Sequence, residues 1–480
     1  MRYKLIKMKK LILPISALLL LAGALLYRST IREREVVILS TNDIHAVIDN
    51  FPKLVTAVNL CRDTVATLLV DSGDRWTGNA FIDRAEGRLP IIELMNHAGY
   101  NAATLGNHEF DKGAALLQGA IDYATFPIVC ANMVSNRSDL TTPQSSIVTE
   151  TSNGIKILIT GVVTNYDNGH PDGSEEVFKG LEFSDPMDAA TNELKKQSGA
   201  DINILLSHMG DDKDITYASD KCGFHLIAGG HTHAVADTIV CNTAIGQTGR
   251  RLNLLGATHI RLRGKKVISA EYRNISLDDY NDDSTTANLV TRIENDPILG
   301  AKVGELANEV TRAGFANMMA RSVADATNSQ IGFYHYGGIR LTHHAAGAIK
   351  LATIYNLEPF ASRIHTITMT PAQMRTMIIT KYNDTKNTKE SHRVDLFCTT
   401  PYQIIVDNQG EAIDVIFPKL RENNKYKVAM ADYIGKKYEA ICGDNHTIHN
   451  ILVTDQLLKL FQNQEKVAVD NNFHQKIVKK

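Results

Sequence analysis

The sequence predicts an α/β fold over its first half and an α+β fold over its second. Three observations predict it. From residue 35 to about 278, short apolar runs alternate with helical stretches. Residues 278–300 turn polar and acidic. Beyond 300, helices mix with strands that read as hairpins.

The apolar runs are residues 36–40, 66–70, 102–105, 128–131, 155–163, 202–207 and 226–228, mostly β-branched or aliphatic. Short runs of this kind between helices read as buried strands of an α/β sheet. The helix at 90–95 starts with Pro90 at its first position and stops near Gly99, the expected punctuation. Residues 260–275 read as a hairpin around Arg263-Gly264-Lys265. The run from Asp278 to Thr286 is polar, and a short helical segment, 287–294, comes after it. Residues 279–300 therefore read as a linker between domains at 35–278 and 301–480. In the second domain Thr370-Pro371 opens a helix, and 403–406 with 412–417 form a hairpin around Asn408-Gln409-Gly410.

Composition narrows the function classes. A chain of 480 residues, 44% hydrophobic, can bury more than one core. No period of roughly 20–50 residues repeats, which excludes a solenoid. The formal charge is −2, but residues 1–34 hold eight Lys/Arg and one acid. The rest carries 43 bases and 52 acids, a net −9. Such a body is a poor binder of nucleic-acid polymers, which need a positive field. It suits a small anionic substrate met by local cations or metals.

Residues 1–10 carry five positive charges, and 11–27 carry none. A basic start before an apolar run is the layout of a secretory signal. Ala22-Gly23-Ala24 is a weak cleavage site. The alternative is an uncleaved anchor, at the low end of a membrane span. Either way the body is expected to be exported, to a periplasm, cell envelope or exterior. Membrane contact comes only through this segment. The six cysteines, Cys61, Cys130, Cys222, Cys241, Cys398 and Cys442, form no CxxC pair. They read as mostly buried apolar residues, with an unassigned disulfide open in an oxidising compartment.

The chemistry lies just beyond the strand ends. Residues 36–40 lead into Asp43-Ile44-His45, and 66–70 into Gly73-Asp74. Residues 102–105 lead into Gly106-Asn107-His108-Glu109-Phe110-Asp111. Residues 202–207 lead into His208, and 226–228 into Gly230-His231-Thr232-His233. Open α/β sheets bind ligands at the carboxyl ends of their strands. So Asp43, His45, Asp74, Asn107, His208, His231 and His233 are expected to converge. Each motif alone is weak; one D-x-H is more often a turn. Together they are an oxygen and nitrogen ligand set too large for one ion. They suit two divalent metals sharing a carboxylate, an arrangement that clamps a phosphoryl group. The ligand set does not choose among Mn, Zn, Fe, Ni and Co. His97, His225 and His259 lie near the motifs but lack strand-end partners, and read as surface or core histidines.

At these residues the chain resembles the calcineurin-like metallophosphoesterases. The resemblance covers roughly 35–278 and implies a four-layer αββα sandwich. Within that family the string Asn107-His108-Glu109-Phe110-Asp111 is similar to that of the exported 5′-nucleotidases and bacterial UDP-sugar hydrolases. The resemblance implies Asp43, His45, Asp74 and His233 on one metal. It implies Asp74, Asn107, His208 and His231 on the other, with Asp74 bridging. It gives His108 the transition-state oxygens or the leaving group, with Asp111 orienting it.

The second half resembles the substrate domain of those nucleotidases only in part. Gly337-Gly338-Ile339-Arg340 matches the end of the family's N-G-G-G-I-R, with His335 and Tyr336 in place of its Asn and first Gly. Glu358-Pro359-Phe360 matches its P-F-G-N region, but Ala361-Ser362 replace G-N. The resemblance implies Arg340, Phe360 and Tyr433 as substrate-binding residues. The family's G-G-D-G-Y, whose Asp grips the ribose, is missing; Gly435-Lys436-Lys437-Tyr438 stand there.

These readings lead to an exported, dinuclear-metal phosphoesterase that hydrolyses phosphate monoesters by metal-bridged hydroxide attack. Nucleoside 5′-monophosphates are the expected substrates. Nucleotide sugars, cyclic nucleotides and other phosphoesters stay open, as does a sulfur ester on a carrier. A non-catalytic metal-containing binding protein is the reading from another class.

Overall fold

A computed structural model describes residues 33–166, 168–197, 199–386 and 394–480. Nearly all of the predicted export segment lies outside the described residues. The described part divides into two compact units. One holds 33–76 and 87–290, the other 77–86 and 291–480.

The first unit is built on two sheets. The first sheet runs, in spatial order, Lys266–Ser276, Leu254–Arg263, Glu33–Thr41, Ala66–Asp71 and Ala102–Ala103. The second runs Val235–Val240, Thr243–Thr248, Leu226–Gly229, Ile202–His208, Lys156–Val163 and Ser146–Glu150. Alternate residues of each face a shared core. Val36, Ile38, Leu68 and Val70 meet Ile157, Ile159, Ile204 and Leu206 there, all buried. The far face of the second sheet buries Leu205, Ile227 and Ile245 with Ala190, Tyr217 and Ala218. Those come from the helices Pro186–Lys196 and Asp211–Asp220. The helix Phe51–Arg62 packs on Ala66–Asp71 of the first sheet. The layers are thus helix, sheet, sheet, helix. Burial on both faces explains why the central strands are continuous apolar runs rather than alternating ones.

Two expected strands differ. Residues 102–105 shrink to Ala102–Ala103. Residues 128–131 form no strand, although their composition suits one. Val129 N donates to Ala103 O (2.8 Å) on the first sheet, and Ala131 N to Gly161 O (2.7 Å) on the second. The segment divides its hydrogen bonds between both sheets, so it straps them and builds no ladder. The helix Pro90–Ala98 ends at Gly99 in the left-handed conformation (φ 73°), where a glycine lacks the Cβ penalty.

The acidic stretch read as linker is held along the first unit. Lys53 Nζ reaches Asp278 Oδ1 (2.7 Å), and Asp283 Oδ1 accepts from Thr286 N (2.8 Å) at the start of the helix Ser284–Glu294. Thr286 is fully buried and contacts His97 Nε2 (3.1 Å). The division between units falls after Val290, inside that helix.

The second unit has a five-stranded sheet: Leu396–Cys398, Ile331–His335, Tyr426–Ala431, Arg363–Met369 and Asp444–Leu452. One face buries the helices Arg312–Ala326 and Val453–Asn463. The other buries Met374, Met377 and Ile378 of the helix Pro371–Lys386. A smaller sheet contains the hairpin Tyr402–Val406 with Ala412–Ile416 and the parallel strand Gln475–Lys479. Residues 77–86 belong here although they interrupt the first unit in sequence. Ala80 and Leu299 share a small core with Ala352 of the helix Leu351–Leu357, and Arg84 stacks 3.3 Å from the Tyr355 ring centroid.

Candidate metal centre

Strand ends in the first unit deliver the site. Glu33–Thr41 and Ala66–Asp71 are parallel neighbours, and the loops after them stay hydrogen-bonded. Asp43 N donates to Gly73 O (2.9 Å), and His45 N to Asp74 O (3.0 Å). A third loop joins through the buried carboxylate of Glu109, which accepts from Asp74 N (2.9 Å), Arg75 N (3.0 Å) and Gly106 N. The His231 loop joins through His231 N, which donates to Asp43 Oδ2 (3.0 Å).

The approach is close enough to demand glycine at two points. A Cβ on Gly106 would stand 2.2 Å from Asp74 Oδ1, and one on Gly230 would stand 2.9 Å from His208 Nδ1. Asp43, His45, Asp74, His231 and His233 all adopt positive φ, between 49° and 83°. L-residues avoid that region, and strain of this kind persists where the surroundings over-determine it.

The side chains fall into overlapping groups. Asp43, His45 and His233 form one, and Asp43, Asp74 and His208 another; within each, ligand atoms lie within 4.8 Å of one another. His45 Nε2 and His233 Nε2 are 2.9 Å apart. His208 Nε2 is 3.3 Å from Asp74 Oδ2, and His231 Nδ1 is 3.1 Å from Asn107 Oδ1. All seven ligand candidates read from the sequence are therefore brought to one rim. His108 groups with His45 and Asp74. Its Nδ1 lies 2.8 Å from Asp111 Oδ2 and its Nε2 3.9 Å from Asp74.

The donor set fits divalent cations. His208 Nδ1 donates to the Ser72 carbonyl (2.7 Å), which leaves Nε2 as the nitrogen facing Asp74. That Nε2 is fully buried and makes no hydrogen bond. Burial opposes a charge on His208, yet Asp74 and Asp43 push it up to about 10. Burial likewise opposes ionised Asp74, but His208, His108 and His45 hold its carboxyl well below the usual range. The cluster thus calls for positive charge between these groups, which a metal ion supplies in place of a proton.

Sequence reasoning missed the supports. Arg75, fully buried, lies 3.1 Å from Asp71 and 3.7 Å from Glu109, so it neutralises two carboxylates under the loops. Asp172 was also missed. Its Oδ2 stands 3.4 Å from His231 Nε2, on the ring side opposite Asn107. The signal was its loop, which comes after the strand Lys156–Val163 at the same sheet edge but carries no motif. His225 and His259 have structural partners, Asn203 N and Glu35.

In the second unit, Arg340, Phe360 and Tyr433 are half-buried. The Arg340 guanidinium lies 5.6 Å from the Phe360 ring centroid, and His335 packs 5.4 Å from both Tyr334 and Tyr433. Burial, then the nearby Lys381 and Arg340 charges against Asp395, leave His335 lowered to about 4. Ala361 adopts φ 55°, a left-handed position that its glycine counterpart would hold without strain. Gly435, Lys436 and Lys437 lie in the helix Asp432–Lys437.

Comparison with known proteins agrees with this layout. Residues 36–235 match the calcineurin-like phosphoesterase family and 290–441 the 5′-nucleotidase C-terminal domain family. A trifunctional nucleotide phosphoesterase protein of Bacillus subtilis is 27% identical over 401 residues, which is 71% of this chain and 27% of that protein. A probable 5′-nucleotidase of Treponema pallidum is 31% identical over 198 residues, 40% of this chain and 32% of that one. The chain spans about a quarter to two fifths of the length of such curated relatives. The fold is similar to that of a 5′-nucleotidase precursor from Thermus thermophilus, with TM-score 0.80 at 16% identity, over 92% of this chain and 99% of that one. With the strand-end motifs intact, the chain thus joins a domain of the calcineurin-like phosphoesterase family, residues 36–235, to one of the 5′-nucleotidase C-terminal domain family, residues 290–441.

Proposed function

We propose that this protein is a metal-dependent phosphoester hydrolase acting on phosphate monoesters, with nucleoside 5′-monophosphates as its main substrates. One observation carries the reading: seven side chains able to ligate through oxygen or nitrogen meet on one rim, beside a His108–Asp111 pair that a purely structural metal site does not need. Asp43, His45, Asp74 and His233 would hold one divalent ion, and Asp74, Asn107, His208 and His231 a second. Such ions polarise phosphoryl oxygens and make water a nucleophile at neutral pH.

The chain's own groups do the rest. Ionised Asp111 accepts from His108 Nδ1, which fixes the tautomer and turns Nε2 toward the cluster. A protonated Nε2 there can donate to a phosphoryl oxygen or to the departing alkoxide. Arg75 and Glu109 keep the loops in place. Arg340, Phe360 and Tyr433 recognise the leaving group, by charge and by stacking. The nucleotide names of the two Bacillus and Treponema relatives support this choice. A second reading, a nucleotide sugar or other phosphoester, is favoured by Lys436-Lys437 standing where the family's ribose-binding Asp is missing. The charge pattern of residues 1–34 supports export.

The test is phosphate release from nucleoside 5′-monophosphates, UDP-glucose, 2′,3′-cyclic nucleotides and p-nitrophenyl phosphate, with added Mn or Zn. Fast release from 5′-monophosphates, lost in His108→Ala, is expected. Release only from the other esters would transfer the proposal to the second reading. No release with any metal would sink both. Fractionation of the expressing cells tests export.

A further inference from the structure

The sequence suggested that most cysteines are buried; only Cys130, Cys398 and Cys442 are, and Cys61 is half-buried. Cys222 and Cys241 are exposed. Cys222 lies just past the helix Asp211–Asp220, and Cys241 starts the two-residue turn between Val235–Val240 and Thr243–Thr248.

The sheet brings these two sites together. Thr243–Thr248 pairs in parallel with Leu226–Gly229, Ala244 opposite Leu226. The turn that holds Cys241 comes just before this pairing, and the segment that holds Cys222 comes just before Leu226. Two bonds hold the turn there: Thr243 Oγ1 donates to Phe224 O (2.7 Å), and Ala244 N to His225 O (3.1 Å). Neighbouring strands lie about 4.8 Å apart, so the segments leading into Leu226–Gly229 and Thr243–Thr248 start within the Cα separation of about 4.4–6.8 Å that a disulfide spans. Local desolvation and then the Cys241 thiol push the exposed Cys222 thiol up. Both residues sit at positive φ (53° and 48°), positions that L-residues rarely occupy.

We infer that Cys222 and Cys241 form a reversible intramolecular disulfide, which staples the loop that presents His231 and His233. The ring it closes holds the strand Leu226–Gly229 and both histidines. Formation needs an oxidant of the disulfide class, a small molecule or a protein. One cysteine thiolate attacks a sulfur of the oxidant's disulfide and releases a thiol. The second cysteine thiolate then displaces the other oxidant sulfur. The pair loses two protons and two electrons, and the oxidant's disulfide becomes two thiols. Closing a ring of this length restricts the unfolded chain, so the oxidised form is the more stable one.

The experiment uses the full chain, reduced and then treated with oxidised glutathione. Titration under denaturing conditions is expected to show two of the six thiols lost. Peptide mapping should find Cys222 joined to Cys241, in a species that runs as a monomer without reductant. The oxidised protein should melt about 5 °C higher than the reduced one. The double variant Cys222→Ser/Cys241→Ser, at two exposed positions, should lose neither thiols nor show the melting shift. Retention of all six thiols, a disulfide between chains, or separate glutathione adducts on each cysteine would overturn the inference. A linked peptide with no melting shift would overturn the stapling.

Discussion

The two units hold their candidate residues in opposite ways. In the first, backbone does the holding: Asp43, His45 and Asp74 sit on loops bonded to one another, five ligand candidates are bent into the left-handed region, and glycine is the only residue that fits at Gly106. In the second, side chains hold one another: Arg340 against Phe360, and His335 against Tyr433. A backbone-held site fails if one loop changes. A stacked site tolerates exchange, and here its family pattern is altered at His335, Ala361 and Ser362. Geometry is fixed by backbone in the first unit and by side-chain packing in the second.

The largest test of that contrast is Asp74→Asn. Asp74 groups with His45 and His108 and also with Asp43 and His208, so phosphate release should fall on the order of a thousandfold, as for loss of a principal electrostatic stabiliser. Chelation of the wild type should match it, and an activity surviving both would break the comparison. His108→Ala should lower kcat by about 10²–10⁴-fold, the range of a general acid, with bound metal unchanged. Elemental analysis beside the kinetics separates that outcome from lost metal.

Asp172→Asn is a smaller effect on the same unit. A carboxylate orienting a ligand histidine is worth roughly 10–100-fold in metal affinity. Chelator competition would show the loss, and unchanged affinity would leave Asp172 a surface acid. In the second unit, Phe360→Ala or Tyr433→Ala should raise KM for a nucleotide by about tenfold, one stacking interaction, with p-nitrophenyl phosphate unaffected. Equal effects on both substrates would mean the rings only pack.

The smallest is a stability effect at His335. Its folded value, about 4, lies below the unfolded 6.5, so the folded state binds fewer protons in that window. The stability it contributes is present above pH 6.5 and is lost as pH falls toward 4. His335→Asn should flatten that part of the Tm-against-pH curve, and an unchanged slope would refute the assignment.

Much of the site was legible in the sequence. Asp43-x-His45, Gly73-Asp74, Asn107-His108, His208 and His231-x-His233 each come after an apolar run, and parallel strands bring their ends to one edge. Asp172 could not be read that way. Its loop has no motif, and only the packing of the second sheet sets it beside His231. The strap at 128–131 was misread for a related reason. Its residues suit a strand, but its hydrogen bonds go to partners in two sheets.

By itself the sequence determined the alternation of strands and helices, the types of ligand at each strand end, and the His108–Asp111 spacing. These are local, since periodicity and short motifs are written in neighbouring residues. The tertiary structure alone decided the rest. It placed residues 77–86 with the second unit, left Cys222 and Cys241 exposed, and bent five ligand candidates to positive φ. Those features depend on which distant segments pack together, and no local window of the chain contains both partners.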